Sequence, residues 1–301
     1  MQLPPEVRRY IEERAGELPF AQLKRSADNM SAAYRDGTPV APPPEAYLVT
    51  RMPATYAGTY SALAELQESI AGVETVLDVG AGTGAASLAA RALFPRSKLT
   101  LIERDPALLA EARALLPGAE TIAADAARLE RFPERDLAIA AYSTGEIGAA
   151  AALRMWESAR LGIVILEPGT PRGFALIRGI RDDLLARGAH IAAPCPGPVP
   201  CPMTGDDWCH FAARVERSSL HRRLKGGDLG YEDEKFSYVA FVRRPLQPAA
   251  ARIVRRPQHR PGLIELQLCT PAGLTPERVT RRDRDAFRRA RHAAWGGRWL
   301  S

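Results

Sequence analysis

Lysine is scarce in this 301-residue chain, with four lysines among 41 basic side chains. Positive charge therefore rests almost wholly on arginine, whose planar fork suits carboxylates and phosphates. A high-GC genome accounts for arginine over lysine, but not for where the arginines lie. Long apolar runs are also missing. No stretch reaches the roughly 18 apolar residues of a membrane-spanning helix, so no membrane partner is expected. The opening "MQLPPEVRRYIEERAGELPF" has no apolar signal core and carries Glu6, Glu12, Glu13 and Glu17, unlike a secretory or organelle leader. A cytosolic location is the expectation. Cysteine is sparse as well, at four residues. In the cytosol such thiols bind metal more readily than they form structural disulfides.

The basic charge that is present is unevenly placed. Residues 243–301 hold 14 arginines against Glu265, Glu277, Asp283 and Asp285. Since the whole chain carries +6, the remainder is slightly acidic. A basic tail on a nearly neutral body points to a polyanion partner, RNA above all.

Along the chain, 1–71 reads as a helical lead-in, with helices over 1–35 and 46–71 and a loop at "DGTPVAPPPEAY". From 73 onward strands and helices alternate: "VETVLDVG", "KLTLIERD", "ETIAAD", "DLAIAAY" and "LGIVILEPG" are strands, separated by helical stretches. Alternation of this kind implies right-handed crossovers and a mostly parallel sheet. "HFAARVERS" and "FSYVAFVRR" are expected as its last two strands. Residues 72–244 form this domain, including a cysteine loop at 194–210. Residues 245–301 read as a small basic β/α extension, with a hairpin or small sheet and a terminal helix at "DRDAFRRARHAAWGGRW".

"LDVGAGTG" (77–84) lies where the first strand meets the first helix of the alternating region. Gly80, Gly82 and Gly84 let the backbone turn sharply against a ligand. Glu103 ends the second strand, placed to accept from ribose hydroxyls. Asp125 follows the third, where an acceptor for an adenine amine would lie. With Asp78 before the loop, this ordered set resembles class I S-adenosylmethionine-dependent methyltransferases. The resemblance implies a Rossmann-like sheet that binds S-adenosylmethionine. No residue identifies itself as catalytic. The fourth strand runs into "AAYSTGEI", with neither an N-P-P-Y clamp nor a cysteine nucleophile. Tyr142, Ser143 and Glu146 line that edge, and Tyr142 and Glu146 are the weak catalytic candidates. Glu146 can accept a proton or cap the following helix, and capping is the favoured role.

Cys195, Cys201 and Cys209 lie in "PCPGPVPCPMTGDDWCH", five and then seven residues apart, and Cys269 follows 60 positions later. Four thiolates can close a zinc site or hold a [4Fe–4S] cluster. Neither spacing has the tight pairing usual in zinc ribbons, which suits a group larger than one ion. Cys269 also reads as ordinary core, and His210 offers a Cys₃His zinc alternative. Taken with "HFAARVERSSLHRRLKGGDLGYEDEKFSYVAFVR", "YLVTRMPATYAGTYSAL", "ILEPGTPRGFALI", "LCTPAG" and "FRRARHAAWG", the loop is similar to the methyltransferase-like small-ribosomal-subunit assembly factors of mitochondria and alphaproteobacteria. The resemblance spans about 46–298. It implies that Cys195, Cys201, Cys209 and Cys269 hold a [4Fe–4S] cluster, that the partner is the small ribosomal subunit and its rRNA, and that methyl transfer is not assured.

Two basic stretches are candidate RNA contacts. One holds Arg222, Arg223 and Lys225 beside His221; the other holds Arg281, Arg282, Arg288 and Arg289. Trp295 and Trp299 offer either base stacking or packing. The leading expectation is a monomeric rRNA-binding assembly or translation factor with bound S-adenosylmethionine and a [4Fe–4S] cluster. An active rRNA methyltransferase is the alternative, and a small-molecule methyltransferase with structural zinc is the weaker one.

Overall fold

Four helices precede the first strand: α1 (Pro5–Gly16), α2 (Phe20–Asp36), α3 (Pro44–Thr50) and α4 (Met52–Gln67). Proline in the first turn of α1, α3 and α4 costs nothing, because its missing N–H would have had no helical partner. The structure is a computed structural model and describes residues 1–36 and 43–299. Of the loop expected at 36–47, residues 37–42 lie outside the described residues, while Asp36 ends α2 and residues 44–47 belong to α3. α4 buries side chains around its whole girth, from Met52 and Ala54 to Leu63 and Leu66. Its small residues let it lie close against a helix and two strands of the body.

The body alternates as expected: β1 (Thr75–Val79), α5 (Ala85–Leu93), β2 (Lys98–Glu103), α6 (Pro106–Leu115), β3 (Glu120–Ala123), β4 (Arg135–Ala141), α7 (Thr144–Ile147), α8 (Ala150–Ser158), β5 (Ala159–Pro168), α9 (Pro171–Ala186), β6 (His190–Ala193), β7 (Phe211–Glu216), α10 (Ser219–Lys225) and β8 (Tyr231–Val242). Among the described residues these strands make one sheet of order β3-β2-β1-β4-β5-β8-β6, with β7 attached to β8. Pairing is parallel from β3 to β5, and β8 runs antiparallel to β5, β6 and β7. This is the sheet of the class I methyltransferase fold. α1–α5 share one apolar core with one face, including Leu63, Val76, Leu137 and Tyr238. α8 and α9 cover the other through Met155, Ile177 and Leu184.

The stretches at 210–218 and 236–244 are the last two strands of this sheet in chain order, as expected, and they pair with each other. β8 spans 12 residues and divides its pairing. Residues 236–242 join β5, and 240–242 also meet β6, which takes the edge; residues 231–236 form a hairpin with β7. β6 is only four residues long, too short to stand out as a strand.

The C-terminal extension is a second, antiparallel sheet of β9 (Ala251–Ile253), β10 (Gln258–Arg260), β11 (Leu263–Thr270), β12 (Gly273–Thr280) and β13 (Arg298–Trp299), with α11 (Arg284–Ala290) packed on it. Ile253, Ile264, Leu266, Val279, Ala290 and Trp299 form its core. The terminal helix is shorter than its sequence suggests. Gly296 has φ +90° and turns the chain so that Arg298 and Trp299 pair with β9.

Candidate functional site

The glycine loop leaves β1 at the carboxyl edge of the sheet. Its amides at Gly80 and Ala81 donate to the Ile102 carbonyl at 2.9 and 3.0 Å, which fixes the loop to the end of β2. Gly80 has φ +73°, and a Cβ there would lie 2.5 Å from Ser143 Cβ. Only glycine allows both that backbone and that approach. The Glu103 carboxylate accepts from Gly82 N and Asp105 N, each at 2.8 Å, so the loop holds it in place. Asp125 accepts from Ala127 N at 3.0 Å. Gly80, Gly82, Glu103, Asp125, Tyr142 and Ser143 line a cleft of about 250 Å³. The predicted set is therefore assembled in one place, with two exceptions. Gly84 faces Leu116, where a Cβ would come within 2.7 Å, so it serves the packing of α5 on α6. Asp78 lies beneath the loop, 1% exposed. Its Oδ2 accepts from Ser87 Oγ at 2.7 Å, and its Oδ1 has no partner among the described residues. Burial pushes the Asp78 carboxyl up to about 6, against the Ser87 hydrogen bond.

The two weak catalytic candidates separate. Tyr142 is held at φ +60°, in the left-handed region that a bulky residue enters only under tertiary constraint. Its phenol lies close to Gly58 of α4, where a Cβ would be 2.7 Å away. Burial drives that phenol well above 10, so it is no proton acceptor near neutrality. Glu146 does not cap α7. No side-chain cap forms there, and the carboxylate pairs with Arg104 at 3.2 Å, a residue that also lines the cleft. A residue missed in the sequence sits behind them. Glu167, 4% exposed at the end of β5, accepts from Gly145 N at 3.1 Å, and burial pushes it up to about 7. The signal was an acid closing the apolar run "GIVIL".

The four cysteines converge. Cys195, Cys201, Cys209 and Cys269 line one cavity between the body and the extension, with Phe174 and Met203 among its walls. The proline-rich loop is less bare of core than its composition implies. Met203 is 2% exposed and packs with Phe174, Val254 and Cys269, joining α9, the loop and the extension. Burial raises the Cys195 thiol, and Arg181 and Arg252 oppose that rise. Burial likewise raises Cys209 and pushes Cys269 up to about 12. Among the described residues no three His, Cys, Asp or Glu side chains are drawn together as a site for one metal ion. His210 is no spare ligand. Its ring is stacked on Trp208 and edge-on to Trp295, with centroids at 5.2 and 4.8 Å, and it is not among the cavity walls.

The basic stretches behave differently from each other. On α10, Lys225 pairs with Glu232 at 3.2 Å, the Arg223 guanidinium lies 4.3 Å from the Phe20 ring centroid, and Arg222 is 3.4 Å from Ser219 Oγ. These charges are largely committed to the protein itself. On the extension, Arg281 and Arg288 join Arg260, Arg284, Arg291 and Phe287 along an open groove. Arg288 pairs with Asp285 and Arg260 with Glu265. Arg281, Arg284 and Arg291 have no acidic partner among the described residues. Arg282 and Arg289 are exposed outside this groove. Trp299 is buried in the extension core and Trp295 packs on the body, so neither presents a free face for a base.

A family model described as mitochondrial small ribosomal subunit Rsm22 matches residues 43–300. The chain belongs to the Rsm22 family. No curated protein matches it. Solved structures similar to this family member include precorrin-6y C5,15-methyltransferase from Geobacter metallireducens, at 16% identity over 63% of this chain and 87% of its own, with a TM-score of 0.42. The plantazolicin methyltransferase BpumL, solved with SAH, is 10% identical over 79% of this chain and 100% of its own, with a TM-score of 0.42. CalS10, an amino pentose methyltransferase from Micromonospora echinaspora solved with SAM, is 17% identical over 85% of each chain, with a TM-score of 0.34.

Proposed function

We propose that this protein is an assembly or translation factor that binds the rRNA of the small ribosomal subunit. In this reading it holds S-adenosylmethionine in the glycine cleft and a [4Fe–4S] cluster in the cysteine cavity. The observation that carries the reading is the convergence of four thiols, drawn from a loop of the body and a strand of the extension, on one cavity. Thiolates at Cys195, Cys201, Cys209 and Cys269 are the ligand type such a cluster takes. A cluster there would fasten the extension to the body. The residues of the glycine cleft fit S-adenosylmethionine equally well. Glu103 and Asp125, both on the cleft wall, offer acceptors to the ribose and adenine.

The RNA contact is assigned to the extension groove, where Arg281, Arg284 and Arg291 are free to neutralise phosphates beside the Phe287 ring. Phosphate contacts make binding salt-dependent, with a log–log slope of about −0.7 per phosphate on single strands. The triple variant Arg281→Ala, Arg284→Ala, Arg291→Ala is expected to bind purified small subunits about a hundredfold more weakly at low salt. Its salt slope should be shallower by about two. Wild-type affinity and slope in the variant would overturn the assignment.

An active rRNA methyltransferase is the second reading, favoured by the intact cleft and by Glu167, a buried carboxyl near neutrality behind its wall. It requires an rRNA methyl group that disappears in a deletion strain and returns with the wild-type gene but not with Glu103→Ala. Mass mapping that finds no lost methyl group rejects it.

A further inference from the structure

Two buried arginines flank the cysteine cavity, and nothing in the sequence pattern sets them apart from the other arginines. Arg252 on β9 is 1% exposed and Arg181 on α9 is 4% exposed. Both line the cavity with the four thiols. Arg252 spends most of its donors on tying parts of the chain together. Its Nε donates to the Pro194 carbonyl at 2.9 Å, next to Cys195. Its Nη1 donates to Glu65 Oε2 and to the Gly296 carbonyl, each at 2.8 Å. Arg181 donates through Nη1 to Asp182 at 2.6 Å and through Nη2 to the Val199 carbonyl in the cysteine loop.

Each guanidinium keeps one buried nitrogen without a partner among the described residues, Arg252 Nη2 and Arg181 Nε. A buried N–H left unpaired costs about 1–3 kcal/mol, and more on a charged group. A guanidinium cannot escape that cost by losing its proton. Among the described residues only one carboxylate, Glu65, meets Arg252, and Arg181 meets Asp182, whose side chain is 59% exposed. The cavity wall therefore holds two buried cations with unused donors, facing four sulfur atoms. The missing complement is a buried anionic acceptor.

We propose that Arg181 and Arg252 are the charge-compensating donors of the group held by the four cysteines, and that they raise its reduction potential. This inference rests on the [4Fe–4S] reading of the cavity. A cubane bound by four thiolates is anionic, and reduction makes it more so. Two fixed positive charges in a low-dielectric wall favour the reduced state over the oxidised one. Hydrogen bonds to cluster sulfur act in the same sense. Arg252 adds a second role, because the same side chain holds the Pro194 carbonyl, the Gly296 turn and α4 together. It is a positioning residue for the loop as well as a counter-charge.

The test is potentiometric titration of the full chain, purified without oxygen, followed by visible absorbance and EPR. Arg181→Met is the primary variant, since Arg181 makes no bond to the extension. Arg252→Met is the second, and Arg181→Lys keeps the charge while altering the donor geometry. In Arg181→Met the midpoint is expected to move to more negative potential by about a tenfold change in the reduction equilibrium, about 59 mV for one electron. Arg181→Lys should move less, and Arg252→Met should move the same way as Arg181→Met. Wild-type midpoints in both Met variants, at wild-type iron and sulfide content, would overturn the inference while leaving the cluster intact. Wild-type protein that holds zinc without iron or sulfide would instead overturn the cluster reading itself.

Discussion

Among the described residues, the buried side-chain atoms without a partner around the four cysteines are donors, Arg181 Nε and Arg252 Nη2, whereas at the glycine loop they are a carboxylate oxygen, Asp78 Oδ1, and the hydroxyls of Thr83, Tyr142 and Thr144. The cleft wall carries the Glu103 and Asp125 carboxylates, whereas the cavity wall carries two buried guanidinium groups. The cavity suits an anionic acceptor, as a thiolate-bound cluster is. The two regions also differ in how they are built. The cleft comes from consecutive strand ends, and its key carboxylate is satisfied by nearby amides. The cavity closes only when a strand 60 residues away is brought up to the loop. Removing a ligand should therefore leave the cleft standing and loosen the cavity.

The largest effect is expected from Cys269→Ser, which breaks the cavity at the residue joining extension to body. Loss of the bound group and its cross-link should lower the melting temperature by about 10 °C, since metal binding is folding free energy in such sites. Chelator-treated wild type should fall to the same value. An unchanged melting temperature would remove the fastening role. Gly80→Val acts on the other side of the comparison. The new Cβ would meet Ser143, and φ +73° is hostile to a branched side chain,. S-adenosylmethionine binding by calorimetry should weaken about a hundredfold, while iron content stays at the wild-type value. Loss of both would show that the two regions are not independent.

A smaller effect is expected at Asp78. Its folded carboxyl is raised from 3.8 to about 6. A raised acid contributes its stability below the unfolded value and loses it as pH climbs through the folded one. Without cofactor, wild type should thus lose on the order of 2 kcal/mol more between pH 4 and pH 7 than Asp78→Asn does, Glu167 titrating alike in both,. Denaturant midpoints across that range measure it, and parallel curves would contradict the burial argument.

The comparison also explains what could be read from the chain alone. The cleft was legible because its chemistry lies at predictable points of a strand–loop–helix repeat. Gly80, Glu103 and Asp125 each lie within two residues of a strand end. The cavity was legible only in part. Cys195, Cys201 and Cys209 announce themselves in a loop, but Cys269 reads as core, and only the family resemblance joined it to the others. Arg181 and Arg252 were invisible, because periodicity cannot tell a buried arginine from a solvated one. The same limit affected the RNA surface. Arg282 and Arg289 looked equivalent to Arg281 and Arg288 in sequence, yet only the second pair lines the groove. β6 was missed because four residues make too short a pattern, and the division of β8 between its partners is one that no local pattern encodes.

The central claim is that four cysteines from two segments hold one iron–sulfur group that fastens the extension to the body. It is tested most directly by iron, acid-labile sulfide and zinc analysis of the anaerobically purified chain, together with its visible spectrum. The account predicts about four iron and four sulfide per chain, both lost in Cys269→Ser. Zinc without iron or sulfide, or a Cys269→Ser protein that keeps its iron, would contradict it.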